Sequence, residues 1–231
     1  GANSEDKTIV ALKLIKTWGF LERFINDNNL EVEVFAAKGW DKLSNKLIID
    51  VAIYDEKTAS WAKKHGSDSV EKSRPTSWTL FGAMNKRIQV SQDQKTGLIT
   101  LSVEHFSPTV AKKWADLLVV SINRHIQSQD RKDALNSLVY LKERVSKTSV
   151  AEMQAIFYQL IEAQTKTLML TEISDEYVLK TVSPAKTPEV RSKPKRMLIT
   201  ILGVLIGFGG ALLIVFFRYF YSNEYEGVLK D

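Results

Sequence analysis

The sequence predicts an α+β protein in which a small mixed sheet forms a base domain, a long helical hairpin extends from it, and one C-terminal helix crosses a membrane. Three observations predict this fold class. Residues 88–103 read as two strands around a turn, residues 109–182 contain neither proline nor glycine, and residues 197–217 carry no charged side chain. These patterns are typical of a strand pair, of long helices and of a membrane span.

Composition excludes several chemistries before any motif is considered. The chain has 231 residues, is 44% hydrophobic and contains no cysteine. A disulfide framework, a thiolate zinc site, an iron–sulfur cluster and a cysteine nucleophile are therefore excluded.

The positive charge is concentrated in one short stretch. The formal net charge is +5, and residues 184–196 hold five basic side chains against one acidic side chain. A nucleic-acid-binding protein needs basic residues spread along a folded surface, to contact many phosphates. The distribution argues against a nucleic-acid partner.

Residues 1–106 are predicted to form the first part of the base domain. Asp6 can cap a helix whose apolar face contains Ile9 and Ile15 and which continues to residue 25. Residues 47–54 are a strand candidate. The strand pair over residues 88–91 and 98–103 follows, and Gly97 is suited to a left-handed position in its turn.

Residues 107–174 are predicted to form the helical hairpin. Ser107 is an N-cap and Pro108 takes the first helical position. A capping box at residues 149–152 predicts a break between two helices at residues 147–149. The second helix has one predicted apolar stripe, made of Val150, Met153, Phe157, Leu160, Ile161 and Leu168. Residues 175–183 are expected to return to the sheet as a strand over residues 177–182.

The first of these helices has a section that is polar all round, residues 127–133. An exposed or bridging helix tolerates such a section. We expect it to contact other subunits or a polymer. The residues chosen for that role are Gln127, Gln129, Asp130 and Arg131.

Residues 184–196 are predicted to be a semi-rigid linker, because prolines interrupt both helices and central strands. Its prolines are Pro184, Pro188 and Pro194, and its terminal basic residues are Lys193, Lys195 and Arg196. The 21 uncharged residues 197–217 would form a helix of about 31 Å, enough to cross the hydrocarbon core. Gly203 and Gly207 have the spacing of a helix-packing motif, although glycine is common in membrane helices generally. Residues 218–231 would be a short cytoplasmic tail.

Catalytic and cofactor-binding motifs are not found in the sequence. It contains no GxxxxGK[ST] loop, no GxGxxG, no GxSxG and no HExxH. The three histidines, His65, His105 and His125, are too far apart for a local metal motif. We expect a protein that is not an enzyme and needs no cofactor or metal.

Several segments resemble the Wzz-type polysaccharide chain-length determinants, the polysaccharide co-polymerases of bacterial inner membranes. They are FAAK at residues 35–38, SQDQKTGLITLSVEHFSP at 91–108, FYQLIE at 157–162, and the proline-spaced basic stretch at 183–196 that runs into a glycine-bearing membrane helix. The resemblance covers most of residues 8–218. It departs from the family in two respects: the first membrane helix and an opening strand of the sheet are not in this sequence, and the end of the linker is unusually basic.

The resemblance implies a periplasmic α/β domain with a long helical extension, anchored in the inner membrane by a helix at each end of the chain. It implies a ring-like homo-oligomer that works with a membrane polymerase on a lipid-linked polysaccharide and sets the modal length of O-antigen or a related glycan. A first membrane helix before Gly1 would place the basic residues near Lys193 on the periplasmic side, against the bias that this helix alone predicts.

Two other functions stay open at this point. One is a periplasmic adaptor of a polysaccharide export machine, which would need heptads sustained along both long helices. The other is an exporter subunit paired with a separate tyrosine kinase. It would need a kinase-activating cytoplasmic tail, and the predicted tail has only 14 residues, three of them tyrosines.

Overall fold

The computed structural model describes residues 4–62, 74–193 and 196–227. The chain forms two compact units, residues 1–187 and residues 188–231, and each is described by itself. The helices of the first unit are α1 (Ser4–Leu14), α2 (Trp18–Asp27), α3 (Glu31–Phe35), α4 (Ser77–Arg87), α5 (Pro108–Lys147) and α6 (Ala151–Ile173). Its strands are β1 (Ala37–Asp41), β2 (Lys46–Ile49), β3 (Tyr54–Asp55), β4 (Ser60–Trp61), β5 (Ile88–Gln92) and β6 (Ile99–Val103).

The mixed α+β class is confirmed, but the prediction of one mixed sheet is wrong. The described strands form three separate two-stranded sheets, β1–β2, β3–β4 and β5–β6, and every pair is antiparallel. Each pair joins strands that follow one another in the chain, so that little chain entropy is lost in forming it. An alternating pattern shows that a strand has a covered face but does not show how many partners it has.

The predicted strand pair and its turn are confirmed. Ile88 pairs with Val103 at one end of β5–β6, and Gln92 pairs with Ile99 at the other. Gly97 has a φ of +69°, a left-handed conformation that a residue without Cβ adopts at little cost. Asp93 organises the same turn, because its Oδ1 accepts a hydrogen bond from the Lys95 amide at 2.8 Å.

The predicted N-terminal helix is two helices. Thr17 has an extended backbone and is the N-cap of α2, while its hydroxyl donates to the Leu14 carbonyl at 2.7 Å. The apolar face also differs from the prediction, because Ile9 is 44% exposed whereas Ala11 and Ile15 are buried. Helical spacing persists across the break, and spacing alone could not reveal it.

The core of the first unit lies among α2, α4 and the first half of α5, with contributions from α1, α3 and β5. Trp114 of α5 is fully buried and is the largest side chain of this core. The other buried side chains of this core are Ala11, Ile15, Phe20, Leu21, Phe24, Ile25, Leu30, Val34, Leu80, Met84, Ile88, Leu118, Ile122 and Ile126.

The start of α5 and the break before α6 agree with the sequence. Ser107 caps α5, with its Oγ accepting from the Val110 amide at 3.4 Å. The predicted capping box at residues 149–152 is wrong, because Val150 is the N-cap of α6 and makes no side-chain cap bond. Gln154 instead donates from Nε2 to the Thr148 carbonyl at 2.6 Å. A side chain from the first turn of α6 therefore stabilises the connection between α5 and α6.

The predicted returning strand over residues 177–182 is wrong. Residues 174–183 contain no strand and lie along α5. The Oδ1 atom of Asn123 accepts from the Val178 and Leu179 amides at 2.9 and 2.8 Å, and its Nδ2 donates to the Leu179 carbonyl at 2.9 Å. The buried side chain of Asn123 therefore pairs with the backbone groups of this segment in place of a neighbouring strand.

The second unit contains helix α7, Arg196–Gly227. Its stretch Met197–Phe216 is long and apolar enough to cross a membrane. The mean hydropathy is 2.7, and no residue of the most apolar part of the stretch is buried. In a soluble protein so many exposed apolar side chains would be unfavourable, whereas in a bilayer they contact lipid.

Candidate functional site

Two of the four residues predicted to contact other molecules make hydrogen bonds to other segments of the chain. Gln127 donates from Nε2 to the carbonyls of Thr171 and Ser174, at 2.8 and 3.0 Å. These bonds satisfy carbonyl groups at the C-terminal end of α6, which would otherwise lack helical partners. Gln127 thus joins α5 to α6 within the chain, and its contact with other molecules stays a prediction.

Asp130 also has an internal role. Its Oδ2 pairs with the Lys7 ammonium at 2.5 Å and accepts from the Tyr177 hydroxyl at 2.7 Å, while Lys7 lies 3.0 Å from the same hydroxyl. Burial lowers the pKa of Lys7, but the hydrogen bonds to Asp130 and Tyr177 outweigh it, so the pKa is raised overall. Burial raises the pKa of Tyr177. This triangle joins α1, α5 and the segment after α6.

The other two predicted contact residues lie at the surface. Gln129 is exposed and bonds to Asp133 one turn along α5. Arg131 approaches Glu172 of α6 at 3.6 Å, and both side chains are 56% exposed. Of the four predicted residues, these two are exposed, whereas Gln127 and Asp130 are half-buried.

Helix α6 carries two parallel seams where the sequence predicted one stripe. The less exposed residues, here called the inner seam, lie beside α5 and are Gln154, Phe157, Ile161, Gln164, Leu168 and Thr171. The residues one position earlier, here called the outer seam, are Met153, Ile156, Leu160, Ala163, Thr167 and Leu170. Both seams repeat at alternating steps of three and four residues, the spacing of helix–helix contacts.

The outer seam is exposed except at Thr167, which is half-buried. Met153, Ile156 and Leu160 have 42%, 49% and 44% of their surface accessible, and Leu170 has 46%. Four large apolar side chains in register extend over about 27 Å of helix. The predicted stripe combined members of both seams, because adjacent apolar residues on a helix cannot be assigned to one face until a partner is known.

His105 lies in a half-buried polar junction rather than in an open site. Its Nδ1 accepts from the Ser107 amide at 3.1 Å, which places the ring proton on Nε2, 3.1 Å from the Glu33 carbonyl. The Glu33 carboxylate accepts from the Trp114 indole at 2.8 Å and from Lys113 at 2.9 Å. Burial lowers the pKa of His105, and the nearby charge of Arg87 adds to that effect.

The described residues offer no group of three or more metal-ligating side chains. His125 is half-buried, lies 3.1 Å from Arg23 and packs edge-on against Phe20, while His65 lies outside the described residues. Both ring nitrogens of His105 are used within the fold. None of these contacts presents a nucleophile or an acid–base pair to solvent.

The predicted linker residues fall on both sides of the boundary between the units. Pro184 is exposed in the first unit, and Pro188 and Lys193 are exposed in the second. Pro194 and Lys195 lie outside the described residues. Arg196 is the first residue of α7.

The two glycines chosen for helix packing lie on the exposed surface of α7. A Cβ atom at Gly203 or Gly207 would meet no atom within 4 Å, so both positions leave room for another helix. Packing at this face stays a prediction.

Comparison with known proteins adds no assignment. No family model matches the chain, and no curated protein matches it. The likeness to chain-length determinants therefore rests on the sequence motifs.

Proposed function

We propose that the protein is a non-catalytic, oligomeric regulator of polysaccharide chain length in a bacterial inner membrane. It works with the membrane polymerase and sets the modal length of O-antigen or a related lipid-linked glycan. The first unit lies in the periplasm, and α5 and α6 form the helical extension of the family. The ordered motifs at residues 35–38, 91–108 and 157–162 support this proposal.

The observation that carries the proposal is the outer seam of α6. An apolar side chain left in water forgoes about 1.5–3 kcal/mol that full burial would supply. A heptad-spaced row of such side chains suits burial against another helix. A second copy of the chain can supply that helix, and repeated head-to-tail contacts of this kind close into a ring.

The membrane helix supports the location. Met197–Phe216 has the length and hydropathy of a span, and a regulator fixed beside the bilayer encounters a lipid-linked polymer as it grows. Such a role needs no covalent chemistry from this chain. Accordingly we propose that assembly and position, rather than a catalytic residue, give it its effect.

The test is deletion of the gene followed by electrophoresis of the surface polysaccharide. We expect the modal band cluster to be replaced by a broad distribution that favours short chains, and the wild-type gene on a plasmid should restore it. A vector without the gene is the control. An unchanged ladder in the deletion strain would contradict the proposal, as would turnover of a glycan by the purified protein alone.

A further inference from the structure

Two tryptophans from different helices stack on the surface of the first unit. The rings of Trp18 and Trp78 have centroids 5.5 Å apart and planes inclined by 25°. Trp78 is 68% exposed and Trp18 is 40% exposed. Neither the core nor the α5–α6 contact uses this pair.

The pair is held rigidly. Trp18 is the first residue of α2 and Trp78 is the second residue of α4, and both helices are anchored by buried core side chains such as Leu21 and Leu80. Phe81 packs edge-on against Trp78, with centroids 6.0 Å apart and planes at 80°. The rings are therefore oriented before any ligand arrives, which limits the entropy lost on binding.

The surface of α4 next to Trp78 has no side chain at Gly82. Gly82 follows Trp78 by four residues, so its side chain would lie on the same face and lean back toward the indole. A Cβ at Gly82 would meet no atom within 4 Å. A larger residue here would fit the helix and would cover part of the ring.

The size of the patch limits its occupant. Two tryptophans offer at most about 150–250 Å² each, well below the roughly 800 Å² per partner of a stable protein interface. In the chain, Thr17 precedes Trp18, and Ser77 and Thr79 flank Trp78, but the Thr17 hydroxyl bonds to the Leu14 carbonyl and that of Thr79 to Thr76. An exposed aromatic surface this small suits a ring-sized ligand that presents a C–H face to the indoles.

We propose that Trp18 and Trp78 form a stacking platform for a pyranose ring of an oligosaccharide. The C–H face of the sugar packs on the exposed indole surface, and its hydroxyls stay in contact with water. That the natural ligand is a surface polysaccharide rests on the proposed function. The platform itself rests on the geometry of the two rings.

The experiment uses the full chain in detergent micelles and a panel of short oligosaccharides of glucose, galactose, mannose, rhamnose or N-acetylglucosamine. Binding is measured by calorimetry and by saturation-transfer NMR. We expect at least one member to bind, and Trp78→Ala to weaken it by about tenfold or more, a loss of about 1.4 kcal/mol. Trp18→Ala should act in the same direction.

Two further variants separate a platform from a structural effect. Gly82→Leu keeps both indoles and replaces a poor helix former, so it should preserve the fold while it reduces binding. Trp40→Ala removes a tryptophan of β1 and should leave oligosaccharide affinity unchanged. Binding of no panel member, or equal binding by all variants, would overturn the platform.

A lipid contact is the competing occupant, and it can be measured directly. In nanodiscs of brominated phospholipid, quenching of tryptophan emission that disappears in Trp78→Phe would place this ring in the bilayer and overturn the proposal. We expect no such change. An unchanged polysaccharide ladder after gene deletion would remove the proposed function while leaving measured oligosaccharide binding intact, so the two failures are distinguishable.

Discussion

Asn123 and Leu179, 56 positions apart in the chain, are joined by a reciprocal pair of hydrogen bonds. The Asn123 amide donates to the Leu179 carbonyl and accepts from its N–H, the two bonds that a backbone neighbour in a sheet would make. Asn123 is 2% exposed and also accepts from the Val178 amide. Asn123 thus attaches the segment after α6 to α5, together with the bonds of Gln127 to Ser174 and of Tyr177 to Asp130.

Replacing Asn123 should be costly. Asn123→Leu keeps the volume but leaves two backbone N–H groups and one carbonyl without partners, so we expect a loss of about 2–3 kcal/mol in the free energy of unfolding. Urea unfolding followed by tryptophan emission measures it. Asn136→Ala, an exposed asparagine on the same helix, should stay within about 0.5 kcal/mol of wild type. Equal stability of both variants would show that the segment is held by other contacts.

The triangle of Lys7, Asp130 and Tyr177 predicts a loss of stability at alkaline pH. The pKa values of Lys7 and Tyr177 are both raised in the fold, so the unfolded chain releases these protons first. The stabilisation is complete below about pH 10, near the unfolded pKa values, and is lost as pH rises through the folded ones. Unfolding midpoints across this range measure the loss.

Asp130→Asn is the matched variant for this prediction. It removes the charge paired with Lys7, and we expect a loss of about 1 kcal/mol at neutral pH together with a shallower alkaline decline. Part of the decline should persist, because burial raises the Tyr177 pKa without Asp130. An alkaline profile identical to wild type would show that Asp130 does not set the pKa of Lys7.

His105 predicts a loss of stability in the acid direction. Its pKa is lowered in the fold, so the unfolded chain takes up the proton first as pH falls below about 6.5. Stability is then lost down to the lower, folded pKa, because a proton on Nδ1 would face the Ser107 amide. His125 also has a lowered pKa, from burial and the charge of Arg23, so the measurement belongs in a His125→Gln background.

In that background His105→Gln should flatten the dependence of unfolding free energy on pH below about 6.5, at some cost in stability at pH 7. The pKa itself can be followed by NMR of the imidazole. A His105 that titrates at or above the ordinary histidine value would contradict the assignment of a neutral, half-buried imidazole.

The outer seam of α6 predicts an assembly defect without unfolding. Leu160→Asp places a charge at the centre of the seam, so we expect the oligomer to dissociate in detergent and the modal polysaccharide length to be lost. Light scattering coupled to chromatography gives the mass.

Tyr158→Asp is the matched control for Leu160→Asp. It introduces the same charge at an exposed position, 59% accessible, two residues away and on the opposite side of α6. We expect wild-type mass and a wild-type ladder. Wild-type mass for Leu160→Asp as well would show that the seam is not the assembly surface.

Local patterns in the chain were enough to predict the long helices, the turn at Gly97, the cap at Ser107 and the apolar stretch from Met197 onward. Each of these depends on residues within a few positions of one another, through helical period, positive φ, capping or uninterrupted hydrophobicity. A single sequence carries that information directly.

The roles of Gln127, Asp130 and Asn123, and the division of α6 into an inner and an outer seam, depended on tertiary contacts. A polar side chain in the middle of a helix has the same pattern whether it meets solvent or a distant carbonyl. Its partner is selected when α1, α6 and the following segment pack on α5. Once these elements are packed, leaving a buried polar group unpaired costs more free energy than the chain entropy lost in ordering its partner, so the contact forms.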